Sequence, residues 1–229
     1  MRILALDTSL DLCQVAFVAA SGRAVLRSEP LARGHGERLF AMIAEVLDEA
    51  GVTLADVDRF AVTTGPGSFT GIRIGLAAAR GFGLALKRPV VGIGTLAALA
   101  RSFEDRPSGP VVSVVDARKG EVYMAVHAAG GMEMVAPFVA TAEVALAHVP
   151  PDTALLIGSG APLLVHAATC AGQRVPPHLA RSGPDVLALA RLGLAAPAPA
   201  RPPAPVYVRP PDAKPSRRPS LLAALEFDR

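Results

Sequence analysis

The run Thr63-Thr64-Gly65-Pro66-Gly67-Ser68-Phe69-Thr70-Gly71-Ile72-Arg73-Ile74-Gly75 limits what this chain can fold into more than any other segment. It follows an apolar stretch, Phe60 to Val62, that reads as a buried strand, and it opens a helical stretch that ends at Leu86. Pro66 fixes one φ, and the glycines around it reach backbone conformations closed to other residues. The reading is a tight, hydroxyl-bearing turn between a strand and a helix, with backbone N–H groups gathered at the helix N-terminus. Such a turn suits an anionic group or very close approach by another backbone. It is neither a Walker A loop nor the dinucleotide fingerprint, because the spacing fits neither and no Lys follows.

Around this unit the chain alternates strands and helices. Arg2 to Leu6, Leu12 to Ala19 and Ala24 to Leu31 read as three strands. Glu37 to Ala50 is an amphipathic helix, with Leu39, Ile43, Val46, Leu47 and Ala50 on one stripe and Gly51 as its C-cap. After the glycine-rich turn and its helix, Val90 to Ile93 is a short strand, and Thr95 caps a helix running to Arg101. This order, βββαβα with a closing strand, is the ribonuclease H-like plan. The pattern then recurs: Val111 to Val115 ends in Asp116, a polar turn follows, and Glu121 to His127 returns, as Ile3 to Leu6 ends in Asp7 and returns at Leu12. Ala154 to Ile157, Gly158-Ser159-Gly160 and a helix from Pro162 to Ala171 form another strand–turn–helix unit. The expected fold class is therefore α/β, two copies of one lobe with the second reduced. The expected division is a first lobe over residues 1–103, a second over 110–195 after a linker at Glu104 to Gly109, and a Pro-rich tail over 196–229 that is either an extended strap over the surface or partly disordered.

Half of the 229 residues are hydrophobic (51%), yet only 4% are aromatic and Trp is absent, so the core must be built from Ala, Val and Leu at close spacing. The formal charge of +3 is spread along the chain apart from Lys214 to Arg218, which gives no evident electrostatic track for nucleic acid and leaves a weak RNA contact as the alternative to none. Cys13 and Cys170 lack metal or redox spacing and read as inert core thiols. Asp7 interrupts the first apolar run, which excludes a signal-peptide pattern. The longest apolar stretch, Ile72 to Leu86, carries Arg73 and Arg80 and falls short of a bilayer. A cytoplasmic protein is expected.

The candidate chemistry lies in the paired Asp turns. Asp7, Ser9, Gly65, Gly67, Ser68, Thr70 and Asp116 form either a degraded nucleotide or anion site or a set of polar structural turns. Neither Asp is followed two residues on by glycine. Arg118 and Lys119 are placed to touch a phosphate or to pair with Asp116, and Gly158-Ser159-Gly160 is placed to contact an adenosine or simply to feed its helix. His35 has no second His four residues away, so no metal site is expected, and it is read as capping or hydrogen-bonding near the helix start. Ser68 lacks the surroundings of a nucleophile elbow. No catalytic residue and no cofactor are assigned. Gly71, Gly75, Ala79 and Gly83 recur at intervals of four, a small-residue stripe on which either the sheet of the same lobe or another helix packs.

The opening Ile3-Leu4-Ala5-Leu6-Asp7-Thr8-Ser9, the block His35-Gly36-Glu37-Arg38-Leu39, the glycine-rich turn, the hairpin Asp116 to Tyr123 and the tail Pro205-Val206-Tyr207-Val208-Arg209-Pro210 occur in the order of the TsaB (YeaZ) family. The chain resembles that family from Arg2 to about Pro215. The resemblance implies two lobes of the actin/Hsp70/sugar-kinase (ASKHA) superfamily and a non-catalytic role beside TsaD, the relative that transfers a threonylcarbamoyl group to N6 of adenosine 37 in tRNAs reading ANN codons. It implies TsaC as the supplier of threonylcarbamoyl-adenylate, TsaE as an ATPase partner, tRNA bound through the complex, and a homodimer when TsaD is absent. It places the partner surface on the first-lobe helices, at Phe40, Ile43, Leu47, Ile72, Gly75, Leu76, Ala79 and Gly83. The alternative is a stand-alone ATPase or small phosphotransferase using Asp7, Asp116 and the Gly65 to Gly71 loop; a peptidase is not favoured.

Overall fold

A computed structural model describes residues 1–103 and 107–209. The expected linker falls partly outside these residues, as do the tail beyond Arg209 and its basic run. Strands β1 (Ile3–Asp7), β2 (Leu12–Val18) and β3 (Ala24–Pro30) form an antiparallel meander; helix α1 (His35–Ala50), strand β4 (Arg59–Thr63), helix α2 (Phe69–Leu86), strand β5 (Val90–Ile93) and helix α3 (Thr95–Leu99) follow. The second half repeats this order with β6 (Val111–Arg118), β7 (Glu121–His127), β8 (Glu133–Thr141), α4 (Ala142–Leu146), β9 (Leu155–Ile157), α5 (Ala161–Cys170), β10 (His178–Leu179) and α6 (Val186–Ala195). The two five-stranded sheets run β3-β2-β1-β4-β5 and β8-β7-β6-β9-β10, so each strand has its counterpart five strands later. β1 pairs antiparallel with β2 and parallel with β4, as β6 does with β7 and β9. These are two ribonuclease H-like lobes. The second is the reduced copy, with 5- and 10-residue helices where the first has 16 and 18.

Alternation along the strands sends two different surfaces to the two faces of the first sheet. Leu4, Leu6, Val15, Phe17, Phe60 and Val62 meet α1 and α2 in the larger core. Ile3, Ala5, Ala16 and Ala61 point the other way, and their small side chains let α6 lie close, through Val186, Leu189 and Ala190. In the second sheet Val112, Val114, Met124 and Val126 meet α4 and α5, while Val115 and Ala125 are covered by Leu96 and Leu99 of α3. The last helix of each half thus packs on the other half's sheet. Ser102, just after α3, locks the exchange: its Oγ accepts from Asp185 N at 2.7 Å, and its carbonyl accepts from Arg181 Nη1 at 3.0 Å.

The stripe on α2 packs inside the lobe. A Cβ at Gly71 would stand 2.0 Å from the Thr8 carbonyl oxygen, one at Gly75 2.7 Å from Thr8 Oγ1, and one at Gly83 2.3 Å from a Val90 methyl. α2 begins at Phe69, earlier than expected, and its 18 residues have the length and apolarity of a membrane span. Its stripe face is nevertheless committed to β1, β4 and β5.

Several local expectations are corrected. The N-cap of α3 is Gly94 and the helix stops at Leu99; Thr95 is buried and its hydroxyl finds no partner. His35 is the first residue of α1 behind the left-handed Gly34, and its Nε2 is buried without a hydrogen bond, so it does not cap the helix. Cys13 is buried on β2, but Cys170 is exposed at the end of α5. Burial, then the nearby Asp7 carboxylate, pushes the Cys13 thiol up to about 11. At pH 8 a disulfide reagent should therefore titrate Cys170 in the native protein and reach Cys13 only on unfolding, since the thiolate is the reactive form.

Two alanine substitutions on one helix separate packing from propensity. Gly71→Ala drives a methyl into the Thr8 carbonyl and should cost about 1–3 kcal/mol net in urea denaturation. Gly81→Ala, with nothing within 4 Å of the added methyl, should stabilise by about 0.5–1 kcal/mol.

Candidate functional site

The two Asp turns face each other where the lobes meet. Between them lies a cavity of about 410 Å³ lined by Leu10 and Asp11 of the first turn, Gly67 and Ser68 of the glycine-rich loop, Asp116 and Arg118 of the second turn, and Tyr123, Ser159 and Arg209. Of the residues expected to form an anion site, Gly67, Ser68 and Asp116 reach this cavity. Thr70 lines a neighbouring one of about 470 Å³ beside His35 and Glu37. Asp7, Ser9 and Gly65 lie outside both linings.

Asp7 is fully buried on the inner face of β1. Its Oδ1 accepts from Ser9 N (3.0 Å), Ser9 Oγ (2.6 Å) and Thr63 Oγ1 (2.7 Å), and its Oδ2 accepts from Gln14 Nε2 (3.0 Å). Gln14 Nε2 also donates to the Pro184 carbonyl at 2.8 Å, and Gln14 Oε1 accepts from Ser28 Oγ at 3.0 Å. The carboxylate is thus a four-way clasp between β1, its own turn, β2 and β4. Both oxygens are engaged inside the protein.

The glycine-rich loop is clamped from both sides. Ser68 N donates to the Ser9 carbonyl at 2.7 Å. A Cβ at Gly67, whose φ is +159°, would sit 2.2 Å from that same oxygen. Of the two uses open to such a turn, close backbone approach is the one realised here, and the approaching backbone is the turn after Asp7. Ser68 Oγ accepts from Gly71 N at 3.2 Å, the N-cap contact that starts α2. On the other side the tail covers Gly65: Val206 N donates to the Thr64 carbonyl at 2.8 Å, and the Val206 carbonyl oxygen lies 2.8 Å from where a Gly65 Cβ would be. The Gly65–Pro66 peptide bond is cis.

The second turn is more open. Asp116 Oδ1 accepts from Arg118 N at 2.7 Å, and Arg118 Nη1 stands 3.7 Å from Asp116 Oδ2. Ser159 Oγ accepts from Asp116 N at 3.2 Å. Gly158 and Gly160 press on β6, where added methyls would lie 2.1 Å from the Val114 carbonyl oxygen and 2.7 Å from a Val114 methyl. That turn is shaped by contact with its sheet. Arg209 pairs with Glu121 and lies 5.8 Å from the Tyr123 ring centroid, closing one end of the cavity. Among the described residues no group of His, Cys, Asp and Glu is placed to hold a metal ion.

The expected partner-surface residues divide sharply. Ile43, Leu47, Ile72, Gly75, Leu76, Ala79 and Gly83 are buried in the first lobe's own core, whereas Phe40 is 54% exposed. Among the residues that α1 and α2 turn outward are Phe40 and Ala44 on one helix, beside Glu37, Glu45 and Asp48, and Ala77, Gly81 and Ala85 on the other, beside Arg73 and Arg80. Arg38 anchors α1 beneath this face by reaching both Glu29 and Glu45, and it holds the two carboxyls below the usual range.

Three features went unread in the sequence. Gln14 is the polar member of an otherwise apolar strand, a sign that something buried needs its amide. Tyr207 stacks on Phe69 with centroids 5.4 Å apart, and its hydroxyl accepts from Arg73 Nε at 2.9 Å. Arg209 enters the cavity from the tail block.

The family model of TsaD, tRNA N6-adenosine threonylcarbamoyltransferase, matches residues 28–154. The tRNA threonylcarbamoyladenosine biosynthesis protein TsaB of Haemophilus influenzae is 34% identical over 172 residues, 70% of this chain and 72% of that protein. TsaB of Escherichia coli is 38% identical over 126 residues, 55% of this chain and 54% of that protein, so that match spans about half of each. The solved structure of YeaZ from Pseudomonas aeruginosa superposes with a TM-score of 0.72 at 35% identity, over 84% of this chain and 90% of that one.

Removing the clasp tests how much of the lobe junction depends on it. Asp7→Ala would leave the buried donors of Ser9, Thr63 and Gln14 unpaired and should cost about 3 kcal/mol or more in chemical denaturation. A variant as stable as the parent would show that water replaces the carboxylate.

Proposed function

Because the chain belongs to the TsaB family of tRNA threonylcarbamoyladenosine biosynthesis proteins, we propose that it acts as the non-catalytic scaffold of that pathway, pairing with TsaD. In this reading TsaD carries out the threonylcarbamoyl transfer to N6 of adenosine 37, TsaE acts on the pair, and tRNA is engaged through the complex in the cytoplasm. Two copies of this chain pair when TsaD is absent.

The observation that carries the reading is the clasped Asp7. A phosphate-binding turn needs donors and a carboxylate turned toward the ligand or its metal ion. Here Ser68 N and the Asp7 carboxylate are used to join strands of the chain itself. A second observation supplies the docking face. Phe40 forms an edge contact with Phe82, 6.1 Å between centroids, and is exposed one turn before the exposed Ala44, while Gly81 and Ala85 are exposed on α2. An aromatic anchor beside small residues suits a helix pair from a related fold. The rival reading, an independent ATPase or phosphotransferase, draws on the 410 Å³ cavity with Asp116, Arg118 and Arg209.

Native mass spectrometry of the chain with TsaD from the same genome decides between them. The parent should form a heterodimer, and Phe40→Glu or Gly81→Glu should weaken it at least about tenfold, the effect of losing about 1.4 kcal/mol, with circular dichroism unchanged. Ile43 and Leu76 are unsuitable positions, since a charge there would unfold the lobe. Absence of a heterodimer, together with ATP binding by the isolated chain that Arg118→Ala abolishes, would overturn the scaffold in favour of the rival.

A further inference from the structure

α2 presents a second surface on the side away from α1. Its C-terminal end and the segment 199–202 enclose a groove of about 320 Å³. Four cations line it, Arg80, Lys87, Arg88 and Arg201, and no Asp or Glu does. All four are exposed. For a chain with a net charge of only +3, that is a strong local concentration of one sign.

The usual reasons for such a cluster are absent. Cations at a helix C-terminus commonly serve the last carbonyls, but here the Gly83 and Leu84 carbonyls accept from the backbone N–H groups of Arg88 and Lys87. Among the described residues Arg80, Lys87 and Arg201 make no ion pair. Arg88 has one carboxylate within electrostatic reach, Asp58, and that one is already held by Arg2. The cations are therefore left to repel one another across a concave surface.

We propose that this groove grips the phosphodiester backbone of RNA; the inference rests on the assignment of the chain to tRNA modification above. Three of the four cations are arginines, whose planar fork suits phosphate oxygens better than a point charge does. A row of cations along an open groove matches a chain of phosphates rather than one small anion. The position is also compatible with a docked partner. α2 turns about 100° per residue, which sets Gly81 and Ala85 toward α1 and Arg80 and Leu84 toward the groove. One helix then holds TsaD on one flank and RNA on the other.

The test is fluorescence anisotropy of end-labelled, unmodified tRNA against the TsaD heterodimer, titrated between about 50 and 200 mM salt. The comparison is with the triple variant Arg80→Gln, Lys87→Gln, Arg201→Gln, all three exposed. The slope of log K against log salt should shrink by about 2–3, the contribution of three phosphate contacts. Affinity should fall by the same factor for two tRNAs of different sequence. An unchanged slope overturns the proposal. So does loss of TsaD or TsaE binding with tRNA affinity intact, which would make the groove a protein contact. Competition by inorganic phosphate or a mononucleotide with no change in the RNA slope would make it a small-anion site, also against the proposal. If no heterodimer forms, the scaffold reading has failed on its own, and the same titration on the isolated chain still decides the groove.

Discussion

A carboxylate buried without a cation is costly unless its hydrogen bonds are complete, and Asp7 completes them entirely within the chain. The donors come from its own turn, from β2 through Gln14 and from β4 through Thr63. Gln14 extends the network to Pro184 at the threshold of α6. The end of β1 is thereby fixed against the strand on either side and against the helix that returns from the second half. The glycine-rich loop depends on this in turn. Gly67 and Gly71 press onto the Ser9 and Thr8 carbonyls of the turn that Asp7 holds, and Ser68 N and Thr8 Oγ1 add hydrogen bonds across the same contact.

Small residues allow the rest. Ala5, Ala16 and Ala61 form a shallow floor, and Gly193 brings α6 onto it, its Cα facing the Ala61 methyl with no room for a Cβ. A core without Trp and poor in other aromatics is built by close approach of elements rather than by filling space with large side chains. Ridges of Ala and Gly achieve that at the expense of tolerance: a methyl added at Gly71, Gly83 or Gly193 would overlap a carbonyl oxygen or a neighbouring side chain. The exchange of α3 and α6 between the sheets makes the two halves one cooperative unit, and the tail adds a tie, from Thr64 through Val206 to Arg209 and Glu121.

Much of this was legible beforehand because it is local. Apolar runs bounded by polar turns mark β1, β2, β4, β6 and β7, and the repeated strand–Asp–turn–strand pattern announces the duplication and the reduced second lobe. The elements that went unread, β8, α4, β10 and α6, have mixed or short apolar patterns that only tertiary contacts stabilise. The site divided in the same way. Sequence brought together Asp7, Ser68 and Asp116 as a group but could not tell a turn that binds a phosphate from one that binds its neighbour's carbonyl, since both require glycine at the same places. The stripe Gly71, Gly75, Ala79, Gly83 posed the same ambiguity, because a face that packs tightly on a sheet and one that packs on a foreign helix have one composition. Only the register of α2 over β1 and β4 separates them, and it turns the stripe inward.

That inward turn has a consequence for how such a fold serves a complex. In a two-lobed enzyme the cleft must open and close around its ligand, so the turns at the junction stay available and the lobes stay separable. Here the Asp7 clasp, the crossed helices and the tail occupy the junction with the chain's own groups. On the scaffold reading, the surface for recognition is the outside of α1 and α2: Phe40, Ala44, Gly81 and Ala85 on one flank, the proposed basic groove on the other. Rigidity favours such a surface, because a preformed face loses less conformational entropy when a partner docks. On the scaffold reading, the same hydrogen bonds that remove the phosphate turn from service are what hold the docking helices at a fixed angle to the sheet beneath them.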